Sequence, residues 1–194
     1  MNFEIKKHCM SNYYLTMNFS EHKLLQKHLL KEIDKNSSHK LIKKDEYYSD
    51  NVDKLDWQLS NELTRSWVKI IKPYLEYITE IAVQEIGFSE IFPIETIWFQ
   101  QYYKSNTHGW HIHGNNFSAV YYLELPQSAP VTELLDMKQN RIFTPDIQEG
   151  DILIFPSTTI HRAPILDNNC RKTIISYNFD IKKIDKALLE GVKF

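Results

Sequence analysis

The sequence is short of several things, and each shortage excludes something. Two cysteines, Cys9 and Cys170, stand far apart among 194 residues. No disulfide framework is indicated, and a reducing cytoplasm is the expected location. Neither sign of charge dominates, since 23 Lys and Arg face 25 Asp and Glu, a formal charge of -2. That balance argues against general nucleic-acid binding and against a charge-driven membrane role. Apolar runs such as Ile152–Pro156 fall far below the ~20 residues of a membrane span. Met1–Cys9 carries Glu4, Lys6 and Lys7 without an apolar centre, so no signal peptide is expected. Arginine is scarce: Arg65, Arg141, Arg162 and Arg171 stand against 19 lysines. Each arginine therefore invites a question, because a guanidinium grips a carboxylate in two places where lysine cannot.

What is present suits one globular domain with a single buried core: 42% hydrophobic and 13% aromatic residues. The first half has helical patterning. Ser20 is positioned to cap a helix through Leu24, Leu25, Leu29, Leu30 and Ile33. Lys35–Asp53 is polar and reads as a surface loop with a short strand at Lys40–Lys43. A second helical pattern starts near Asp56 and carries Leu59, Leu63, Trp67, Ile70 and Ile71. Pro73 should break or kink it, and Gly87 should end it.

The second half changes to β patterning. Ile94–Tyr103, Phe117–Leu125, Pro130–Met137, Arg141–Thr144, Asp151–Phe155 and Lys172–Ile181 read as strands punctuated by Gly and Pro. A short helix is expected over Lys183–Leu189. The fold class is α+β, with residues 1–93 as mainly helical support, 94–182 as a β-barrel or sandwich core and 183–194 as a C-terminal helix.

The chemistry is concentrated between residues 98 and 176. His108, His111 and His113 lie within six positions, and side chains at i and i+2 of a strand share a face. His111 and His113 can therefore reach one metal ion, to which imidazole is a suitable ligand. His161 is the other histidine of the β half, whereas His8, His22, His28 and His39 read as packed or solvated. Arg171 follows His161 by ten residues. If it lies inside the barrel it needs an anionic partner, which a ligand carboxylate would supply; an ion pair with Asp167 is the alternative. Trp98, Gln100 and Tyr102 share a strand face. Trp98, Gln100, His108 and Trp110 are candidate substrate contacts, although core packing explains Trp98 equally well. The segments Pro126–Thr144 and Lys35–Asp53 should border the pocket mouth. Unperturbed histidines would lose metal as pH falls through about 6.5.

These residues resemble the Fe(II)- and 2-oxoglutarate-dependent dioxygenases, most closely the prolyl-hydroxylase-like group, over about Ile94 to Asp180. Tyr102 stands nine residues before His111. Val120-Tyr121-Tyr122-Leu123 matches the family's Tyr-Leu strand. Gly150-Asp151-Ile152-Leu153-Ile154-Phe155-Pro156 precedes the distal His161, and Arg171-Lys172-Thr173 matches Arg-x-Ser/Thr. The resemblance implies a double-stranded β-helix (jelly-roll, cupin-like) with supporting N-terminal helices. It implies Fe(II), 2-oxoglutarate and dioxygen, and hydroxylation of a C–H bond in a protein side chain or small molecule, with release of succinate and CO2. It also implies that Arg171, Tyr122 and Thr173 bind the distal carboxylate of 2-oxoglutarate and that Tyr102 lines its site.

One departure matters, because His113 stands where the family has Asp or Glu. The ligand set is then His111, His113 and His161; or it is shifted by two, with Asn115 in the acid position; or the position is filled by water, halide or substrate. The first is preferred, because imidazole is a far better ligand than a neutral amide. A cupin-like metal binder that uses no 2-oxoglutarate is the competing reading, and Arg171 is what separates the two, because a cupin demands no arginine ten residues after the distal histidine.

Overall fold

The structure, a computed structural model, describes residues 13–44 and 49–186. Its elements run β1 (Leu15–Asn18), α1 (His22–Lys35), β2 (His39–Lys44), β3 (Ser49–Leu55), α2 (Ser66–Gln84), β4 (Phe88–Ile91) and β5 (Thr96–Tyr102). They continue as β6 (His108–His111), β7 (Phe117–Glu124), β8 (Glu133–Asp136), β9 (Arg141–Phe143), β10 (Asp151–Pro156), β11 (His161–Ala163), β12 (Lys172–Phe179) and β13 (Ile181–Ile184).

Two antiparallel sheets face each other. The larger has the order β1-β10-β7-β12-β5-β3-β2 and the smaller β6-β11-β8-β9. Strands β5 to β12 pass between the two sheets, which is the double-stranded β-helix. One apolar core, including Tyr102, Val120, Tyr122, Leu134, Leu153, Phe155 and Ile174, fills the space between the sheets. A second, including Trp67, Val68, Ile71, Phe99, Tyr121, Ile175 and Tyr177, lies between the larger sheet and the helices. Successive strand residues point to opposite faces, so β12 sends Ile174 into the barrel and Ile175 to the helices.

The helices differ from expectation in three ways. Ser20 does not cap α1; its hydroxyl meets the Glu21 carboxylate, and no side chain caps the helix. The second helix begins at Ser66, and Trp57–Leu59 forms only a 3-10 turn. The reason is Asp56, which is fully buried. Its carboxylate accepts the Phe99 N–H at 2.8 Å and the Trp67 indole N–H at 3.2 Å, and it pairs with Arg65. The chain is thus tied to β5 before a helix can start. Pro73 does not break α2, which runs 19 residues through it. Pro73 sits on the exposed side while Trp67, Ile71, Leu75 and Val83 are buried on the other. Burial along that face outweighs the roughly 3 kcal/mol that an internal proline costs. Gly87 does end the helical segment, at φ +82°.

The N-terminal half also supplies four strands, β1 to β4, beside its two helices. The polar stretch after Lys35 folds into the β2–β3 hairpin, and β3 joins the larger sheet through Leu55 opposite Gln100. Alternating burial of Asp50, Val52 and Leu55 accounts for it. The helix expected from Lys183 is replaced at its start by β13, whose Ile181 pairs with Ile91; residues 187–194 of that expectation lie outside those described. No helix among the described residues is long and apolar enough to cross a membrane.

Candidate metal centre

His111 closes β6 and His161 opens β11, and the two are direct partners across the β6–β11 ladder. His113 follows two residues later, its backbone N–H donating to the Ser157 carbonyl at 3.0 Å. One ring nitrogen from each of His111, His113 and His161 lies within 4.8 Å of the others. A metal bound at the usual ~2.0–2.1 Å from imidazole nitrogen would fit among them.

The tautomers favour such use. His111 Nδ1 lies 2.7 Å from the Gly109 carbonyl, and His161 Nδ1 lies 2.9 Å from the Thr159 carbonyl. A carbonyl only accepts, so both rings carry the proton on Nδ1 and keep the Nε2 lone pair for a cation. Burial pushes all three rings below the ordinary histidine range, His113 to about 4. They are therefore neutral, as ligands must be.

The histidines stand where two chambers meet. The inner one, about 30 Å³, is bounded by residues that include Tyr102, Ser118, Thr132, Phe155, Ile174 and Asn178. The outer one, about 370 Å³, is bounded by Leu41, Lys43, Asp50, Leu55, Trp57 and Ile112. Trp98, Gln100, His108, His111 and His113 line both. At the inner end Tyr102 is 1% exposed, and its hydroxyl has no hydrogen-bond partner. Lys172, also 1% exposed, places its ammonium 4.5 Å from the Tyr102 ring centre and donates to the Pro130 carbonyl at 2.8 Å. Burial pushes that ammonium down to about 8.

No protein-family model matches the chain, and no curated protein matches it in sequence. Solved structures do match. The chain is similar to an oxidoreductase of the 2OG-Fe(II) oxygenase family from Burkholderia pseudomallei, with 11% identity, a TM-score of 0.61 and coverage of 89% of this chain and 87% of that one. It is similar to a prolyl hydroxylase from Trichoplax adhaerens in complex with a peptide fragment of hypoxia-inducible factor, at 13% identity, TM-score 0.60 and coverage of 93% and 87%. HygX from Streptomyces hygroscopicus, with nickel and 2-oxoglutarate bound, gives 7% identity, TM-score 0.62 and coverage of 87% and 83%. The chain has the fold of the 2OG-Fe(II) oxygenases.

Against that fold, the expected cosubstrate residues divide. Tyr102 lines the inner chamber. Tyr122 lies in the inter-sheet core, where its hydroxyl donates to Thr132 Oγ1 at 2.8 Å and accepts the Thr132 N–H at 3.1 Å. Arg171 and Thr173 line neither chamber. The Arg171 guanidinium grips Glu124 with two bonds, 2.7 and 3.1 Å, and reaches Asp34 at 3.4 Å. Thr173 Oγ1 donates to the same Glu124 at 2.8 Å. The cause is alternation along β12, which puts Lys172 and Ile174 on the barrel side and Arg171 and Thr173 on the other; on β7, Thr173 pairs with Glu124 but Ile174 with Tyr122, a bulge of one residue. The bulge turns Glu124 outward beside Arg171. Lys172, the residue between Arg171 and Thr173, is the cation that faces inward.

The other expectations also sort. Asn115 donates to Asp180 at 2.9 Å and lines neither chamber. Trp98 lies 5.8 Å from His113, ring centre to ring centre. Trp110 lines neither chamber; Arg162 stacks on it at 4.5 Å and pairs with Glu133 at 2.6 Å. His108 stacks on His111 at 4.1 Å. The Gln100 amide nitrogen lies 3.2 Å from His108 Nδ1, while the amide oxygen takes the Ser176 hydroxyl. His108 Nδ1 therefore accepts, its Nε2 carries the proton, and it braces the centre rather than joining it. Of the expected rim segments, Lys35–Asp53 supplies Leu41, Lys43 and Asp50 to the outer chamber, and Pro126–Thr144 supplies Thr132 to the inner one. Asp50 and Trp57 went unread in the sequence; the β2–β3 hairpin and the 3-10 turn after it bring them to the outer chamber, while Lys172, also unread, lines neither chamber and lies behind Tyr102.

Proposed function

We propose that the chain is an Fe(II)- and 2-oxoglutarate-dependent oxygenase acting on a protein side chain or small molecule. The observation that carries this is the placement of the three histidines between an inner chamber lined by Tyr102, against whose ring the buried Lys172 ammonium lies, and an outer chamber open to substrate. The groups present fit the cofactors. His111, His113 and His161 are a neutral, preset donor set, and the unpartnered Tyr102 hydroxyl and buried Lys172 ammonium fit a carboxylate. Bound Fe(II) with 2-oxoglutarate would supply the coupling of dioxygen reduction to C–H oxidation, with succinate and CO2 as products.

This chain's residues do the rest. Lys172 and Tyr102 hold the distal carboxylate by charge and hydrogen bond, the role first assigned to Arg171. The inner chamber is too narrow for a five-carbon dicarboxylate alone, so the cosubstrate lies along the junction that Gln100 and Trp98 also line. Gly109 and Thr159 carbonyls keep His111 and His161 in one tautomer and orientation. Phe155 and Ile174 keep the inner end dry. The N-terminal strands and helices act with the β5–β12 core as one domain. A reducing cytoplasm, where Fe(II) persists, is the proposed location.

Displacement of Arg171 from the site favours one second reading, a cupin-like metal binder without 2-oxoglutarate. An anaerobic titration with Fe(II) and then 2-oxoglutarate separates them. A visible charge-transfer band that needs both additions and is lost in Lys172→Met supports the oxygenase. Metal binding with no effect of 2-oxoglutarate sinks it in favour of the cupin.

A further inference from the structure

The outer chamber has a character that the histidines do not explain. Leu41, Leu55 and Ile112 give it apolar walls, and two indoles, Trp57 and Trp98, add aromatic faces. Asp50 supplies the single carboxylate of its lining. That residue is 8% exposed, so the carboxylate has left bulk water for a largely apolar surround, which is costly unless a positive or donating partner meets it. One oxygen is partly engaged: Asp50 Oδ1 accepts the Gly109 N–H at 2.8 Å and lies 3.8 Å from His108 Nε2.

Trp57 stands on the 3-10 turn with 54% of its surface exposed. A large indole at the mouth of a cavity, next to a sunken carboxylate, is the pairing that recognises cations: the π-face is negative, and the carboxylate takes the charge. Lys43, the cross-strand partner of Asp50, lines the same chamber. It brings the opposite charge to the lining, so the charge preference of the chamber is open to direct test.

We propose that the outer chamber receives a cationic nitrogen on an aliphatic stem, an amine or guanidinium, with Asp50 taking its charge and Trp57 and Trp98 enclosing it. A neutral apolar ligand would cover Asp50 without pairing it, and a carboxylate would meet like charge. With its nitrogen on Asp50, the ligand keeps its stem in the chamber that His111 and His113 also line. The inference rests on the oxygenase reading for what is then done to the stem. Binding itself needs only the chamber.

The test is a fluorescence titration of the full-length chain at neutral pH, without metal or 2-oxoglutarate, since two chamber-lining tryptophans report on occupancy. The probes are Nα-acetyl-lysine methylamide, its norleucine counterpart, n-pentylamine and pentanoate. The lysine probe should bind at least tenfold tighter than the norleucine probe. Asp50→Asn keeps an oxygen for the Gly109 N–H and should reduce that preference below twofold. Trp57→Leu, at an exposed position, should weaken the lysine probe severalfold, and Lys43→Met should tighten it. Pentylamine matching the lysine probe supports a free amine as ligand, and weaker pentylamine supports a peptide-borne one. Equal or tighter norleucine binding, strongest binding by pentanoate, a preference that survives Asp50→Asn, or no binding by any probe would overturn the inference. Amine preference without a cosubstrate band would leave it standing and remove the oxygenase reading instead.

Discussion

Lys172 and Tyr102 are direct partners across the β12–β5 ladder, and the ammonium lies 4.5 Å from the centre of the phenol ring. A buried ammonium costs stability, and an aromatic face with one carbonyl repays only part of it. Lys172→Met should therefore abolish cosubstrate binding yet stabilise the empty protein by about 1 kcal/mol or more. Urea unfolding beside a 2-oxoglutarate titration checks both. A variant that loses stability and keeps cosubstrate affinity would contradict the assignment.

Arg171→Ala is the counterpart. Its guanidinium bonds to Glu124 and Asp34, away from both chambers. Cosubstrate affinity should stay within about twofold of the unaltered protein, while stability falls by roughly 1 kcal/mol for a partly exposed, two-pronged pair. Calorimetric titration with 2-oxoglutarate decides it; a hundredfold loss would return the role to Arg171.

The Lys172 ammonium, held down to about 8 by burial, predicts a basic limit to cosubstrate binding. Above pH 8 the free protein loses this charge while the dicarboxylate keeps both of its own. Affinity should then fall by up to about tenfold per pH unit. A flat profile from pH 7 to 10 would show that Lys172 does not meet the carboxylate.

Acid should destabilise the metal-free protein. Burial lowers His113 to about 4 and His108 to about 3, and His111 and His161 move the same way. The unfolded chain thus binds protons at about pH 6.5 that the folded chain refuses. Stability is present above that pH and is lost as pH falls below it, down through the folded values. By pH 5 His113 and His108 each cost on the order of 2 kcal/mol. Proton competition with metal accordingly sets in below the pH of about 6.5 that unperturbed histidines would give. Denaturant midpoints at pH 7.5, 6 and 5 test the slope, and no acid loss would mean that the rings are hydrated.

His113→Asp would place a carboxylate where the resembled family has one. A charged ligand holds a hard divalent cation more strongly than a third imidazole. Fe(II) affinity should rise severalfold while His113→Ala lowers it, both read by anaerobic metal titration. Equal affinities in all three proteins would exclude residue 113 from the centre.

How much of this was legible in the sequence depends on the kind of information. The i, i+2 spacing of His111 and His113 and the strand before His161 are local, so their convergence could be read. The facing of Lys172 could not, because it depends on which face of β12 meets the barrel, and that is set by pairing with β5, where Lys172 lies opposite Tyr102. Asp50 sits in a polar run that resembles a loop, and only the hairpin with β2 and the bond from Gly109 make it part of the site. Pro73 carries a strong local signal for a break, which burial on the far side of α2 overrides. Lys183 and Ile184 have helical neighbours in sequence, yet Ile181 opposite Ile91 commits the segment to a strand.

The alternation of β12 also alters what counting along the chain means. A comparison that looks for a cation ten places after the distal histidine selects Arg171, a residue committed to an acid on the outer surface. The side chain that reaches the interior is the next one. In distant chains, the strand partner of each basic residue, here Tyr102 for Lys172, is the reference point that tells which one faces the interior.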